Sequence, residues 1–311
     1  MFSIVTGGAG FIGSHLVDLL IGRGDRVCVI DSLSSGSRDH LRAHLGSGEV
    51  ELIEADLLSD GWQGACAGAD RLFHLAADPD VRGSAETPWS VYENNVTATM
   101  KVLEAMREHG VPEISFTSTS TVYGEASVIP TPEEYAPMIP ISVYGASKLA
   151  SEAMIASYCH TYGMRGSIFR FANIIGPRSN HGVIFDFIRK LRRDPMHLEI
   201  LGDGTQTKSY LTVGACVEAM VYATEHGPDQ YNFYNIGSTD WIDVVSIAEV
   251  VVDEMGLSDV TFSFTGGDRG WTGDVPKMLL SIEKMKSIGW SPAIGSAESV
   301  REAVRAGILE I

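Results

Sequence analysis

The segment Thr6-Gly7-Gly8-Ala9-Gly10-Phe11-Ile12-Gly13 limits this chain's folds more than any other stretch. It joins an apolar run, Phe2–Thr6, to a stretch with helical spacing at Ile12, Leu16, Leu19 and Leu20. A strand, a glycine turn and a helix in that order place free N–H groups at a helix start. The helix dipole favours an anion there. Small residues let the backbone approach a pyrophosphate, so the spacing Gly7-x-x-Gly10-x-x-Gly13 predicts dinucleotide binding. A tight turn needing glycine for geometry alone is the alternative, and the strand–helix context favours the ligand.

The next apolar run, Arg26-Val27-Cys28-Val29-Ile30, ends at Asp31. A carboxylate there can accept both hydroxyls of an adenosine ribose and repels a 2′-phosphate, so NAD is expected over NADP. Asp56-Leu57 closes a third run and is placed beside the adenine, with an ordinary loop acid as the rival reading. His74-Leu75-Ala76-Ala77 closes a fourth, where small residues let backbone meet a cofactor. His74 reads as a packed histidine. His40 and His44 stand four apart without a third ligand, so no metal site is expected.

Strands are expected at Phe2–Thr6, Arg26–Ile30, Val50–Glu54, Arg71–Leu75, Glu113–Thr117 and Gly166–Phe171, alternating with helices. Long helices are expected at Pro88–His109 and Tyr144–Tyr162. This pattern predicts an α/β fold: a Rossmann-type doubly wound parallel sheet with a smaller α/β substrate-binding domain. The division is placed at 1–172 and 173–311, with some later segments returning to the first domain. After Phe171 the elements shorten. Helices are expected near Val183–Arg193, Val213–Glu225, Val244–Glu254, Ile282–Ile288 and Ala297–Arg305.

The chain has 311 residues and a net charge of −17. That charge argues against a nucleic-acid or anionic-membrane surface, and any phosphorylated ligand needs cations gathered locally. No apolar run approaches a membrane span. The opening Met1-Phe2-Ser3-Ile4-Val5 carries no basic leader, and Cys28, Cys66, Cys159 and Cys216 lie far apart. Reduced thiols and a cytoplasmic location are expected.

Tyr144-Gly145-Ala146-Ser147-Lys148 opens the second long helix. A tyrosine and a lysine four apart share one face. An ammonium beside a phenol favours the phenolate, so Tyr144 is expected to have a lowered pKa and to serve as a general base. Thr117-Ser118-Thr119-Ser120-Thr121 ends a strand, where open α/β sheets bind ligands. A half-exposed aromatic with a solvated lysine, and a threonine edge satisfying its own backbone, are the bland alternatives.

Together these stretches resemble the extended short-chain dehydrogenase/reductase superfamily. Within it they resemble the NAD-dependent epimerase/dehydratase family, and most of all its UDP-glucose 4-epimerases of the compact archaeal type. The likeness covers essentially the whole chain. Its further markers are Thr117–Gly124, Arg-Phe-Ala-Asn-Ile-Ile-Gly-Pro-Arg at Arg170–Arg178, Gly-Asp-Gly-Thr-Gln at Gly202–Gln206 and Gly-Asp-Val-Pro at Gly273–Pro276.

The resemblance implies that Thr119, Tyr144 and Lys148 are catalytic. Thr119 would bind the sugar's 4′-oxygen, Tyr144 would act as base, and Lys148 would hold the nicotinamide ribose and lower the tyrosine's pKa. It implies NAD contacts along Gly7, Gly10, Phe11, Ile12 and Gly13. Others are implied at Asp31, Ser32, Asp56, Leu57, Leu75, Ala76 and Ala77, and from Asn95, Ser118, Tyr144 and Lys148. Thr119, Tyr144, Asn173, Lys208, Arg269, Asp274 and Met278 would contact a UDP-sugar, Lys208 and Arg269 at its diphosphate and Asp274 near the uridine ribose. Solvated surface charge is the plain alternative for the two cations. Lys208 stands where relatives often carry arginine, which exchanges a bidentate grip for a point charge. Trp271 stands where a basic residue is usual. Met278, five residues after Gly273, aligns with a wall of the sugar pocket or else packs in the core.

The implied reaction is epimerisation at C4 of a UDP-hexose through a 4-keto sugar, with NAD regenerated in each cycle. Related dehydratases carry Asp-Glu where this chain has Ser120-Thr121, and related decarboxylases keep a glutamate there. A nucleotide-sugar reductase, or a non-catalytic NAD-binding scaffold, are the alternatives. A homodimer is expected, because both long helices carry apolar residues on several faces.

Overall fold

The structure is a computed structural model, and it describes residues 1–271 and 273–310. Its chain divides into two compact units. The first comprises Met1–Gly124, Met138–Arg170 and Val217–Tyr234. The second comprises Glu125–Pro137, Phe171–Cys216 and the chain from Asn235 onward.

The first unit is built on the strands β1 (Phe2–Thr6), β2 (Arg26–Asp31), β3 (Val50–Glu54), β4 (Arg71–His74), β5 (Glu113–Thr119) and β6 (Arg165–Phe171). The sheet runs β3-β2-β1-β4-β5-β6 and continues to a seventh strand, Tyr231–Ile236, which the sequence reading did not single out. Pairing is parallel from β3 through β5. Ile4, Val5, Val27, Val29 and Ile30 are all buried, as strands covered on both faces require. The strand order reverses between β1 and β4, the crevice where doubly wound sheets take ligands. This is the expected Rossmann-type fold.

Helix Phe11–Gly22 follows β1 directly. The expected helix Pro88–His109 is helical throughout but not uniform. A π-helical turn at Glu93–Thr97 separates Pro88–Tyr92 from Ala98–His109. Helix Val143–Tyr162 starts one residue early because Ser142 caps it, accepting from the Gly145 N–H at 3.1 Å. Gly110 and Gly163 end the two long helices in the left-handed conformation.

The second unit has its own apolar core around Phe187, Ile188, Leu198, Ile247, Val251 and Val300. Its strands are short. Asn173–Ile175 pairs with Tyr210–Thr212, and Lys277–Met278 pairs with Thr207–Lys208. Among the described residues no helix is long and apolar enough to cross a membrane. All four cysteines are buried thiols.

Candidate active site

The residues singled out from the sequence fall into two sets, one on each unit. On the first unit, the turn after β1 is set by sterics. Gly7 has φ +71°, and a Cβ there would lie 2.6 Å from the Ala76 nitrogen. A Cβ on Gly13 would lie 2.1 Å from the Gly7 carbonyl oxygen. Gly10 caps the helix without any side-chain hydrogen bond, so the first N–H groups, at Phe11 and Ile12, have no side-chain acceptor. That arrangement fits a pyrophosphate.

Asp31 is buried at the end of β2. Its Oδ2 accepts from the Ala9 N–H at 2.9 Å and its Oδ1 from the Leu33 N–H at 2.8 Å. Both oxygens therefore brace the loops, and their remaining lone pairs are what a ribose could use. Ser32 beside it is exposed, and its hydroxyl meets Ser34. Asp56 is exposed and accepts from the Leu58 N–H, while Leu57 is buried. Leu75, Ala76 and Ala77 are half-buried, with Ala76 against Gly7.

His74 is fully buried between two hydroxyls, Thr6 Oγ1 at 2.7 Å and Thr99 Oγ1 at 3.0 Å. Burial pushes its pKa down to about 3, and the Lys148 charge pushes the same way, so it packs as a neutral ring.

Asn95 is buried inside the π-helical turn. Its Oδ1 accepts from the Asp78 N–H at 2.7 Å, and its Nδ2 donates to the Asp78 carbonyl and to Ser147 Oγ. Its carbonyl oxygen accepts from both Thr99 and Ser151. One amide thus ties the loop after β4 to the helix that carries Tyr144 and Lys148.

Thr119 is buried at the end of β5, and its hydroxyl shares a hydrogen bond with the Tyr144 side chain. Lys148 is buried too, and its Nζ donates to the Thr117 carbonyl at 3.0 Å. The ammonium lies 4.8 Å from the Phe116 ring centre and 6.0 Å from that of Tyr144. The expected lowering of the Tyr144 pKa is not found. Desolvation raises it to about 12 and Asp78 adds to that, against a smaller lowering by Thr119. Tyr144 keeps partial exposure as a residue, so the desolvation belongs to its inward phenol. Burial also lowers Lys148 to about 7, against an opposing pull from Glu152. At 6.0 Å from the ring, the ammonium is too far away and too easily discharged to overcome desolvation.

Ser118 is buried, and its hydroxyl donates to Glu152. Glu152 is gripped by Arg170, with Nε to Oε1 at 3.0 Å and Nη2 to Oε2 at 2.6 Å. The remaining Arg170 Nη1 donates to the Tyr123 hydroxyl at 2.9 Å. The sequence reading did not single out Ser147, Glu152 or Tyr123. Glu152 stood four after Lys148, the same spacing that flagged Tyr144 and Lys148.

On the second unit, Asn173 is half-buried, and its amide donates to the Ser209 carbonyl at 3.2 Å. Lys208 pairs with the buried Asp274, Nζ to Oδ1 at 2.5 Å. The other Asp274 oxygen accepts from the Gly270 N–H. Arg269 pairs with Glu125 and also donates to the Asp274 carbonyl at 3.1 Å. Both cations are thus directed onto acceptors of their own unit. Met278 is half-buried opposite Lys208 in the short parallel ladder.

A Rossmann sheet with a glycine turn, an acid ending β2, and Thr119 at the end of β5 facing Tyr144 and Lys148 of the next helix is the arrangement of a dinucleotide-binding α/β protein. The chain belongs to the NAD-dependent epimerase/dehydratase family, whose model matches residues 3–237. A solved structure described as a UDP-galactose 4-epimerase is 43% identical, with a TM-score of 0.90 and 100% of both chains covered. A UDP-N-acetylglucosamine 4-epimerase from Methanobrevibacter ruminantium, solved with UDP-N-acetylmuramic acid, is 29% identical at TM-score 0.89. It covers 99% of this chain and 98% of its own. UDP-glucuronic acid decarboxylase 1 of Arabidopsis thaliana is 32% identical over 97% of this chain and 68% of its own length.

Proposed function

We propose that this chain interconverts UDP-galactose and UDP-glucose by inverting C4 of the hexose, with NAD retained through the cycle. One observation carries the reading. The Thr119–Tyr144–Lys148 strip is assembled on one unit, while Ser120 and Thr121 supply no carboxylate beside it. Loss of water or of carbon dioxide in related enzymes calls on such a carboxylate. Retention with inversion does not.

NAD, when bound, supplies reversible acceptance of hydride. The residues that would hold it are the uncapped helix start at Gly10–Gly13, Asp31, and Lys148 with Tyr144. The Thr119 hydroxyl orients the sugar's 4′-oxygen, and Tyr144 removes and returns its proton. Burial strengthens every charge in the strip, so an ammonium at Lys148 stabilises the phenolate at the moment it forms. Asn173, Lys208, Arg269 and Asp274 are the proposed nucleotide-sugar contacts. For the two cations, binding a diphosphate means exchanging Asp274 and Glu125 for phosphate oxygens.

A homodimer is also proposed. Trp89 and Tyr92 are exposed and stacked on each other, and aromatic pairs of that kind favour burial at an interface. Light scattering at micromolar concentration should give twice the chain mass, and a monomer removes this claim.

The deciding experiment is conversion of UDP-galactose to UDP-glucose by purified protein without added cofactor. Dependence on added reduced nicotinamide would favour a reductase. Release of carbon dioxide from UDP-glucuronic acid would favour the decarboxylase chemistry of the Arabidopsis relative.

A further inference from the structure

We propose that Glu152 is the positioning residue of this strip. Gripped by Arg170, its carboxylate sets the end of β5 through the Ser118 hydroxyl, one helical turn along the same helix from Lys148. The inference rests on the epimerase reading above.

The geometry is a three-point seam. Thr117, Ser118 and Thr119 are consecutive on β5, and each is tied to the same helix. Thr117 offers its carbonyl to Lys148, Ser118 its hydroxyl to Glu152, and Thr119 its hydroxyl to Tyr144. Tyr144, Lys148 and Glu152 stand at i, i+4 and i+8, one face of one helix. Two of these ties involve the proposed catalytic groups. The third touches no reacting atom.

Its chemistry is costly for a structural pin. Glu152 and Arg170 are both nearly inaccessible to water. Buried ion pairs of this kind seldom add net stability over an apolar replacement, and their best-attested use is to specify geometry. Arg170 donates to both Glu152 oxygens, so the carboxylate cannot rotate away from Ser118. The charge also matters. The groups facing Lys148 are Tyr144 and Glu152 from its own helix, His74 from β4, and the Phe116 ring and Thr117 carbonyl from β5. Arg170 of β6 stands behind Glu152. Glu152 is the one group among these whose negative charge opposes the discharge of a buried ammonium.

The test uses the full chain with its NAD, in wild type, Glu152→Gln, Glu152→Asp and Ser118→Ala. The Lys148 ammonium is titrated by NMR of labelled lysine side chains, and UDP-galactose turnover is measured against pH. In Glu152→Gln the Lys148 midpoint should fall by about one pH unit, and the alkaline limb of kcat should move with it. Glu152→Asp keeps the charge but shortens the reach. It should hold the wild-type midpoint and lose kcat. Ser118→Ala should also hold the midpoint, with kcat down about tenfold and KM unchanged.

An unmoved Lys148 midpoint in folded Glu152→Gln, or wild-type kcat in Ser118→Ala, overturns the proposal. If Glu152→Gln does not fold, wild-type turnover in Glu152→Asp and Ser118→Ala overturns it in the same way. If wild-type protein turns over no UDP-galactose, the epimerase reading fails separately, and the lysine titration still decides the charge role.

Discussion

The Lys148 ammonium donates to the carbonyl oxygen of Thr117 at 3.0 Å, two residues before the threonine that meets Tyr144. The lysine therefore fastens strand to helix as well as standing near the phenol.

This fastening has a pH signature in stability. Burial lowers Lys148 from 10.5 to about 7. Between those values the unfolded chain holds a proton that the folded chain has released, so stability rises with pH across that window. Lys148→Met should therefore stabilise the fold at pH 6 and converge on wild type near pH 10. Urea midpoints at both pH values check this, and a variant less stable at pH 6 would count against it.

Tyr144→Phe removes one hydroxyl and should leave the far-UV spectrum and thermal midpoint nearly unchanged. Loss of a general base costs on the order of 10²–10⁴ in rate. Turnover of UDP-galactose by the pure variant measures it, and near-normal kcat would remove Tyr144 from the mechanism.

Gly13→Ala places a methyl 2.1 Å from the Gly7 carbonyl, with backbone on the other side of the contact. The turn must open, so NAD retained through purification should fall steeply while the second unit's core is untouched. Denaturing the protein and assaying the supernatant for NAD gives the result directly, and wild-type NAD content would show that the turn has slack.

Met278 sits opposite Lys208 with part of its side chain exposed. Methionine is flexible and can swing aside where a tyrosine ring cannot. Wild type should act on UDP-N-acetylglucosamine detectably and on UDP-glucose better, and Met278→Tyr should depress the N-acetyl substrate selectively. An unchanged activity ratio would show that Met278 is not on the sugar wall.

Much of the fold is legible because β1 through β6 are local apolar runs punctuated by glycine and acid. Val50–Glu54 and Phe2–Thr6 fall where periodicity and turn residues put them. The seventh strand, Tyr231–Ile236, was missed. Its asparagines, Asn232 and Asn235, stand three apart among aromatic residues and break a period of two, and its place at the sheet edge beside β6 makes it a strand. The short ladders at Thr207–Lys208 and Lys277–Met278 are two residues each and carry no period at all.

The spacing of Tyr144 and Lys148 was legible, but its electrostatic consequence was not. A helical wheel shows which residues share a face and says nothing about how dry that face is. Asp31 shows the same limit. Its position at a strand end was plain, while its bonds to Ala9 and Leu33 depend on how two loops fold back.

The π-helical turn at Glu93–Thr97 puts the two halves of its helix out of phase. Its hydrogen bonds span five residues where an α-helix spans four, which inserts one surplus residue and rotates Pro88–Tyr92 relative to Ala98–His109. The surplus residue acts as a setting of angle. Deleting Val96 would leave a helix of nearly the same length and composition. It would also swing the Asn95 amide away from Asp78 and Ser147, uncoupling the loop after β4 from the Tyr144 helix by rotation alone.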